Sequence, residues 1–220
     1  MESKQDKLIV IIDYQLGNLF SVNQALANIG LKAIISSDPE DVDKADAIVL
    51  PGVGAFADAM KNLEAMKLAD AIKQHVAAGK PFLGICLGLQ LLFSESEEFG
   101  STVGLGLIRG AVRRFKTGVL NNKTIKIPQI AWNQITKAPG ASWENTPLMN
   151  MENNEYMYFV HSFYVEPAED VALTYTTYGN TTYVSSIIKE NIFACQFHPE
   201  KSAEKGLLIY RDWAVLNGLI

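Results

Sequence analysis

The sequence predicts an α/β fold with a mostly parallel open sheet, helices on both faces of that sheet, and an antiparallel extension. Two observations predict this class. Short apolar runs alternate with helical patterns from residue 8 to about residue 90, and after Gly100 strand-like runs follow one another with few helices between them. Alternating strands and helices are typical of parallel strands joined by right-handed crossovers, whereas successive strands are typical of antiparallel pairing.

The alternating part contains four strands and four helices. The predicted strands span residues 8–13, 33–37, 47–52 and 82–85. The predicted helices span residues 18–29, a short acidic stretch from Pro39, residues 55–78, and a segment that opens at about Leu87. Gly30 ends the first of these helices and Gly79-Lys80-Pro81 ends the third, because glycine and proline are typical of helix ends.

The rest of the chain is predicted to form strands closed by one helix. The strand-like stretches are GLIRGAVRRF, TIKIPQI, YMYFVHSFYV, VALTYTTY, YVSSII and IFACQFH, and the helix spans residues 202–217. The sequence shows no internal repeat and no flexible linker, so we expect a single domain over residues 1–220.

Charge, the apolar runs and the numbers of cysteine and histidine exclude several classes of function. The 220 residues are 48% hydrophobic and 20% charged, as in globular proteins, and the net charge of −5 gives no electrostatic reason to bind nucleic acid. The polar start MESKQDK and the short run LIVII predict neither a signal peptide nor a membrane anchor, so we expect a cytoplasmic protein. Its two cysteines are then thiols, and with three histidines and no Cys/His cluster we expect no metal and no cofactor.

One cysteine stands at a predicted sharp turn. In FLGICLGLQ, Cys86 follows a strand and precedes a helix, with Gly84 and Gly88 on either side. This pattern resembles the nucleophile elbow, in which small neighbours permit the turn and the helix N-terminus stabilises a thiolate. A buried cysteine packed as a small apolar side chain is the alternative, and the motif alone leaves the two hypotheses even.

A histidine and a glutamate follow the last predicted strand. In IFACQFHPEKS, His198 lies two residues before Glu200, and Pro199 limits the backbone between them. A histidine at a neighbouring strand end can serve Cys86 as base and acid, and the carboxylate can hold the imidazole in one tautomer. A structural histidine and a helix-terminal acid are the alternatives, and the elbow makes them the weaker hypothesis. Cys195 is expected to pack in the core.

A second glycine-rich turn follows the third predicted strand. In LPGVGAF, the glycines on either side of Val53 let backbone amides turn toward a ligand. A tight strand-to-helix loop is the alternative. The segment lacks the G-x-G-x-x-G and G-K-[ST] patterns of nucleotide sites.

The motifs together point to a family. GICLGLQ with a distant FHPE resembles the class I (triad-type) glutamine amidotransferases. DYQLGNLFSV, LPGVGAF, IPQIAWN, YFVHSFYV and QFHPEKS extend the resemblance from Asp13 to the last helix, toward glutaminase subunits that serve a cyclase of histidine biosynthesis. The resemblance implies a flavodoxin-like fold and hydrolysis of L-glutamine to glutamate and ammonia. It also implies a heterodimer in which a TIM-barrel cyclase subunit receives the ammonia.

The resemblance assigns roles to residues as well. The implied catalytic triad is Cys86, His198 and Glu200, and the implied oxyanion donors are the backbone amides of Leu87, Gly52 and Val53. The implied glutamine-binding residues are Gln90, Tyr158, His161, Ser162 and Phe163, for which a plain amphipathic strand is the alternative. The implied partner contacts are Asn18, Trp132 and Lys201, for which ordinary surface is the alternative.

Two positions depart from the family pattern. Ala131 stands where a glycine usually precedes Trp-Asn, and Gln15 stands where a glycine is frequent. A left-handed backbone at either position would cost a residue with a Cβ on the order of 1 kcal/mol. Both positions are expected near the partner face or the pocket, so they affect which partner is expected and not the assignment of the triad.

Three other functions compete with a histidine-pathway glutaminase. They are the same glutaminase chemistry serving a sugar-modifying synthase in surface-polysaccharide biosynthesis, a free-standing cysteine γ-glutamyl hydrolase, and a catalytically silent binding subunit. The intact Cys86, His198 and Glu200 argue against a silent subunit. The match through PGVGAF and YFVHS argues against a free-standing hydrolase.

Overall fold

The computed structural model describes residues 7–120 and 123–220. Its strands are β1 (Ile9–Ile12), β2 (Ala33–Ser36), β3 (Ala47–Gly52), β4 (Phe82–Cys86), β5 (Phe93–Ser96), β6 (Thr102–Val103), β7 (Ile108–Arg114), β8 (Val119–Leu120), β9 (Lys123–Thr124), β10 (Gln129–Lys137), β11 (Glu155–His161), β12 (Phe163–Pro167), β13 (Ala172–Tyr178), β14 (Thr181–Lys189) and β15 (Ile192–Cys195). Its helices are α1 (Leu19–Asn28), α2 (Pro39–Lys44), α3 (Phe56–Ala65), α4 (Leu68–Ala77), α5 (Leu87–Gln90) and α6 (Ala203–Leu216), with a 3₁₀ turn (Pro199–Lys201) before α6.

One large sheet runs through the described residues. Its main path has the order β2-β1-β3-β4-β15-β14-β12-β7-β5-β6, and β10, β11 and β13 extend it from the side of β14. The first five strands on this path are parallel, and β15 joins antiparallel to β14. The predicted parallel sheet with an antiparallel extension is confirmed.

Both faces of the parallel strands are buried, which explains their continuous apolar sequences. Along β1, Val10 and Ile12 face a core that α3 and α4 cover, whereas Ile9 and Ile11 face a second core. That second core contains side chains of α1 and α6, such as Leu26. Helices therefore lie on both faces, as the alternating pattern predicts.

The predicted single helix over residues 55–78 is wrong, because the structure has two helices there. The chain leaves the helical path at Met66 and Lys67, and Lys67 adopts a left-handed conformation with φ 58°. The buried face of α3 ends at Leu63, and an unbroken helix would next place Lys67 and Asp70 on that face. The break instead turns Leu68 into the core.

The two departures from the family pattern lie in different backbone conformations. Gln15 has φ 70°, and its amide donates to the Asp13 Oδ1 at 2.8 Å. Ala131 lies within β10 opposite Phe159 and is not among the positive-φ residues. The expected cost of a left-handed residue therefore applies to Gln15 alone. Among the described helices, none is long and apolar enough to cross a membrane.

Candidate active site

Three neighbouring parallel strands end at the same edge of the sheet. The register places Gly52, the last residue of β3, opposite Cys86, the last residue of β4. On the other side, Cys195 at the end of β15 lies opposite Ile85, so the next residue, Gln196, reaches the level of Cys86. Ligands bind at such carboxyl edges in open α/β sheets.

Cys86 occupies a strained turn between β4 and α5. Its backbone has φ 56° and ψ −106°, and only 5% of the residue is exposed. The neighbouring glycines are needed for close packing: a Cβ on Gly88 would overlap the Leu50 carbonyl, and one on Gly84 would lie 2.9 Å from the Ala194 Cβ. A non-glycine residue held at positive φ costs about 1–3 kcal/mol and is common at functional sites. The predicted elbow geometry is present.

His198 and Glu200 form a buried pair after β15. The His198 Nδ1 lies 2.7 Å from the Glu200 Oε1, and both side chains are almost fully buried. Because a carboxylate only accepts hydrogen bonds, Nδ1 carries the hydrogen. Nε2 has no hydrogen-bond partner among the described residues, so it is available to exchange a proton.

The charge of Cys86 acts on this histidine. Burial alone lowers the pKa of His198, but the Cys86 thiolate and the Glu200 carboxylate outweigh that effect and raise the pKa to about 10. The site therefore favours the protonated, imidazolium form of His198. Cys195 is fully buried in the core, as expected, and its Sγ contacts the Phe197 carbonyl.

A pocket of about 240 Å³ opens at the elbow. It brings together most of the residues that the resemblance assigns to the oxyanion hole and to glutamine. Together with Cys86, those lining it are Val53, Leu87, Gln90, His161, Ser162 and Phe163. Gly52 lies one residue behind the lining, with the Tyr14 hydroxyl packed where its Cβ would stand. Leu87 is the first residue of α5, so its amide lacks a helical partner and can donate into the pocket.

Both ring nitrogens of His161 contact other groups of the protein. Its Nδ1 lies 2.7 Å from the Phe163 carbonyl, which only accepts, so Nδ1 carries the hydrogen. Its Nε2 lies 3.1 Å from the Tyr183 hydroxyl, which itself donates to the Gln129 Oε1. Burial lowers the pKa of His161 to about 4, which keeps the ring neutral. A glutamine contact of His161 would therefore involve its backbone, while its ring holds the shape of the pocket wall.

Glu98 lines the same pocket, and no sequence motif predicted it. Its Oε2 accepts from the Phe56 amide at 2.7 Å, and burial raises the pKa of its carboxyl group. The run SESEEF reads as a polar loop, so no periodicity or spacing marks this glutamate. Its place in the pocket follows only from the fold, which brings residue 98 against the Phe56 amide.

An apolar ladder leads from the pocket to the surface. It consists of the outward-facing side chains of β10 and β11, namely Ile130, Trp132, Tyr156, Tyr158 and Val160. The register pairs Ile130 with Val160 and Trp132 with Tyr158. Trp132 is 49% exposed and Ile130 is 60% exposed, whereas Val160 lines the pocket and its carbonyl oxygen lies 3.9 Å from the Cys86 Sγ.

Tyr158 lies on this ladder above the triad rather than in the pocket lining. Its ring is 6.5 Å from that of His198 and 6.1 Å from that of Trp132, and the Lys201 ammonium is 5.8 Å from its centre. Trp132 and Lys201 thus both lie beside the Tyr158 ring. Asn18 has a local role, because its side chain caps α1 by accepting from the Ser21 amide at 3.4 Å.

The chain is similar to known proteins over nearly its whole length. Residues 10–213 match the family model Glutamine amidotransferase class-I. The chain is 46% identical over 212 residues to the imidazole glycerol phosphate synthase subunit HisH of Thermosynechococcus vestitus, covering 94% of this chain and 96% of that protein. It is 47% identical over 209 residues to the HisH subunit from Aquifex aeolicus, covering 93% and 94% respectively.

Solved structures share the fold at lower identity. The structure of PurLQS from Thermotoga maritima superposes with a TM-score of 0.71 at 20% identity, covering 98% of this chain and all of that one. A glutamine amidotransferase from Thermotoga maritima gives a TM-score of 0.61 at 16% identity, covering 98% and 95%. The match to the family model extends over nearly the whole chain, from β1 to α6. The chain belongs to the class-I glutamine amidotransferase family.

Proposed function

We propose that this protein is the glutaminase subunit of an imidazole glycerol phosphate synthase in the cytoplasm. It hydrolyses L-glutamine to glutamate and ammonia and passes the ammonia to a TIM-barrel cyclase subunit for histidine biosynthesis. Identities of 46% and 47% to two HisH subunits support this assignment. The observation that carries the chemistry is the strained Cys86 at the edge of the sheet where the His198–Glu200 pair also lies.

The reaction follows from the protonation states. The Cys86 thiolate attacks the side-chain amide carbon of glutamine, and the resulting oxyanion accepts from the amide of Leu87 and from the Gly52–Val53 peptide. His198 gives its Nε2 proton to the departing nitrogen, which leaves as ammonia. Water then attacks the γ-glutamyl thioester while His198 takes its proton, and Glu200 holds the imidazole throughout.

Glutamine recognition uses the polar lining of the pocket. Among the described residues, Glu98 supplies the one acidic side chain of that lining, so we assign it to the α-ammonium group of the substrate. Gln90 and the backbone of residues 161–163 hold the rest of the molecule. Tyr158 lies outside the pocket lining, with its ring centre 6.5 Å from that of His198.

The apolar ladder supports a docked partner. Ammonia released into water at neutral pH becomes ammonium, which is no longer a nucleophile, so its acceptor must be close to Cys86. The ladder starts at the pocket wall with Val160 and ends on the exposed Trp132, which is the kind of residue that anchors protein interfaces. Lys201 adds a positive charge at its margin.

The test uses the complex with the cyclase and compares two sources of nitrogen. We expect Cys86→Ala to abolish glutamine-dependent synthesis by the complex, while added ammonium salt still supports the cyclase reaction. Cys195→Ala is the matched control, since that thiol is also buried and is not among the residues that line the pocket. Retention of glutaminase activity by Cys86→Ala would contradict the assignment, as would loss of the ammonium-dependent reaction.

A further inference from the structure

A line of buried side-chain amides runs beneath the pocket and ends on the nucleophile. The Gln90 Nε2 lies 3.0 Å from the Phe163 carbonyl and 2.9 Å from the Gln196 Oε1. The Gln196 Nε2 in turn lies 3.6 Å from the Cys86 Sγ. Gln196 is fully buried, and Gln90 is 5% exposed. Gln196 has no part in the mechanism described above.

The Phe163 carbonyl, at one end of this line, determines which group donates in each of these hydrogen bonds. A backbone carbonyl can only accept, so the amino group of Gln90 must face Phe163. The second hydrogen of that amino group then requires an acceptor, so the oxygen of Gln196 faces Gln90. The amino group of Gln196 is therefore left to donate toward the Cys86 sulfur. The opposite orientation would place two amino groups against each other.

At Cys86, this donor acts on the ionised form of the sulfur. A hydrogen bond to a charged acceptor is about twice as strong as one between neutral groups, so the amide favours the thiolate over the thiol. The position of the donor is set by the sheet, because β15 pairs with β4 in a register that brings Gln196 level with Cys86. A thiolate at Cys86 thus has a fixed hydrogen-bond donor, in addition to the nearby positive charge of protonated His198.

At Gln90, the same hydrogen bonds determine whether the amino group or the oxygen of its side chain is available to the substrate. Both amino hydrogens of Gln90 are used, one by Phe163 and one by Gln196. Its Oε1 has no partner among the described residues, and Gln90 lines the pocket. Gln90 can therefore only accept from the substrate, and it suits an N–H donor such as the carboxamide of glutamine rather than a carboxylate.

We propose that Gln196 is a further functional residue, which stabilises the Cys86 thiolate through its amino group and fixes the acceptor orientation of Gln90 through its oxygen. The proposal rests on the assignment of Cys86 as the nucleophile. Gln196 would then affect the chemical step by stabilising the thiolate, and glutamine affinity by orienting Gln90.

The first experiment measures the rate of Cys86 alkylation by iodoacetamide across pH, followed by mass spectrometry of the Cys86 peptide. Gln196→Met keeps the side-chain length and removes the donor. We expect its alkylation rate at neutral pH to fall by about tenfold, with the rate profile displaced to higher pH. Thr174→Val is the control, because it removes a buried hydroxyl bonded to Ser185 and Ser186 in the same sheet. We expect the control profile to match that of the wild type.

A second variant keeps the test decisive if Gln196→Met does not fold. Gln196→Glu is almost isosteric, retains an acceptor for Gln90 and presents an acceptor instead of a donor to the sulfur. We expect it to lower the alkylation rate at least as much as Gln196→Met, while KM for glutamine changes less than in Gln196→Met. A folded Gln196 variant with the alkylation profile of the wild type would overturn the proposal.

The outcomes separate this proposal from the proposed function. If the wild-type complex lacks glutaminase activity, or if glutamine does not protect Cys86 from alkylation, then the assignment of the nucleophile fails. If the wild type is active and protected but Gln196→Met alkylates like the wild type, then only the role of Gln196 fails. A packing role alone would lower the melting temperature and leave the alkylation profile unmoved.

Discussion

At the scale of single residues, the site depends on which atoms hold hydrogens. The Glu200 carboxylate fixes the tautomer of His198, and the Phe163 carbonyl fixes both the tautomer of His161 and the direction of the Gln90 amide. Each of these acceptors can do nothing but accept, so each determines the group beside it. The acid–base chemistry of the pocket is thus arranged before glutamine binds.

Gln15 carries a residue-scale prediction about stability. It is held at φ 70°, where a side chain costs about 1 kcal/mol relative to glycine. We therefore expect Gln15→Gly to raise the free energy of unfolding in urea by about 1 kcal/mol. Ala131→Gly is the matched control of opposite sign, because Ala131 lies in extended strand and glycine weakens a strand. An equal effect of the two substitutions would contradict the proposed difference in backbone strain.

The residues that the sequence did not predict share a physical cause. The triad could be predicted because its members carry a local signature, namely glycines around Cys86 and a proline between His198 and Glu200. Glu98 and Gln196 acquire their roles only when distant segments meet, Glu98 through the turn after α5 and Gln196 through the register of β15 with β4. No local spacing encodes such contacts.

At the scale of elements, the turn from β4 to α5 positions the nucleophile, and its packing gives a prediction. A Cβ on Gly88 would overlap the Leu50 carbonyl, and the backbone of β3 cannot withdraw without disturbing the core. We expect Gly88→Ala to lower the free energy of unfolding by about 1–3 kcal/mol and glutaminase kcat by at least about tenfold. Unfolding in urea and glutamate release measure the two effects.

The control for that substitution is Gly118→Ala. A Cβ there would lie 3.5 Å from the Ile125 Cδ1, an ordinary contact, and the glycine is not at positive φ. We expect a change within about 0.5 kcal/mol and full activity. If Gly88→Ala behaved like this control, the close approach of α5 to β3 would not be what holds Cys86 in place.

Element boundaries show where sequence patterns are informative. The predicted strand over residues 47–52 is confirmed to the residue as β3, because a parallel strand buried on both faces gives an unbroken apolar run. The predicted helix over residues 55–78 failed because two amphipathic helices of the same period follow each other with only Met66 and Lys67 between them. The change of phase after Leu63 was the signal for that break.

At the scale of the whole molecule, the proposed function predicts that catalysis and association with the partner use the same wall of the pocket. Val160 of β11 lines the pocket. Farther along the ladder, Trp132 of β10 and Tyr156 of β11 are exposed at the surface. A partner seated on this ladder would cover the triad through Tyr158 and exclude water from the path that ammonia takes. Hydrolysis and transfer are then coupled by one surface.

The last prediction tests that coupling. We expect Trp132→Ala to weaken binding of the cyclase by at least about tenfold in calorimetric titration, because a half-exposed tryptophan at the centre of an interface contributes more than most contacts. Glutaminase turnover of the mixture should fall toward that of the protein without its partner, and it should recover at saturating cyclase. Val103→Ala is the control, since Val103 is 74% exposed on the edge strand β6 and lies outside the ladder. Unchanged affinity in Trp132→Ala, or an equal loss in Val103→Ala, would place the partner on another face.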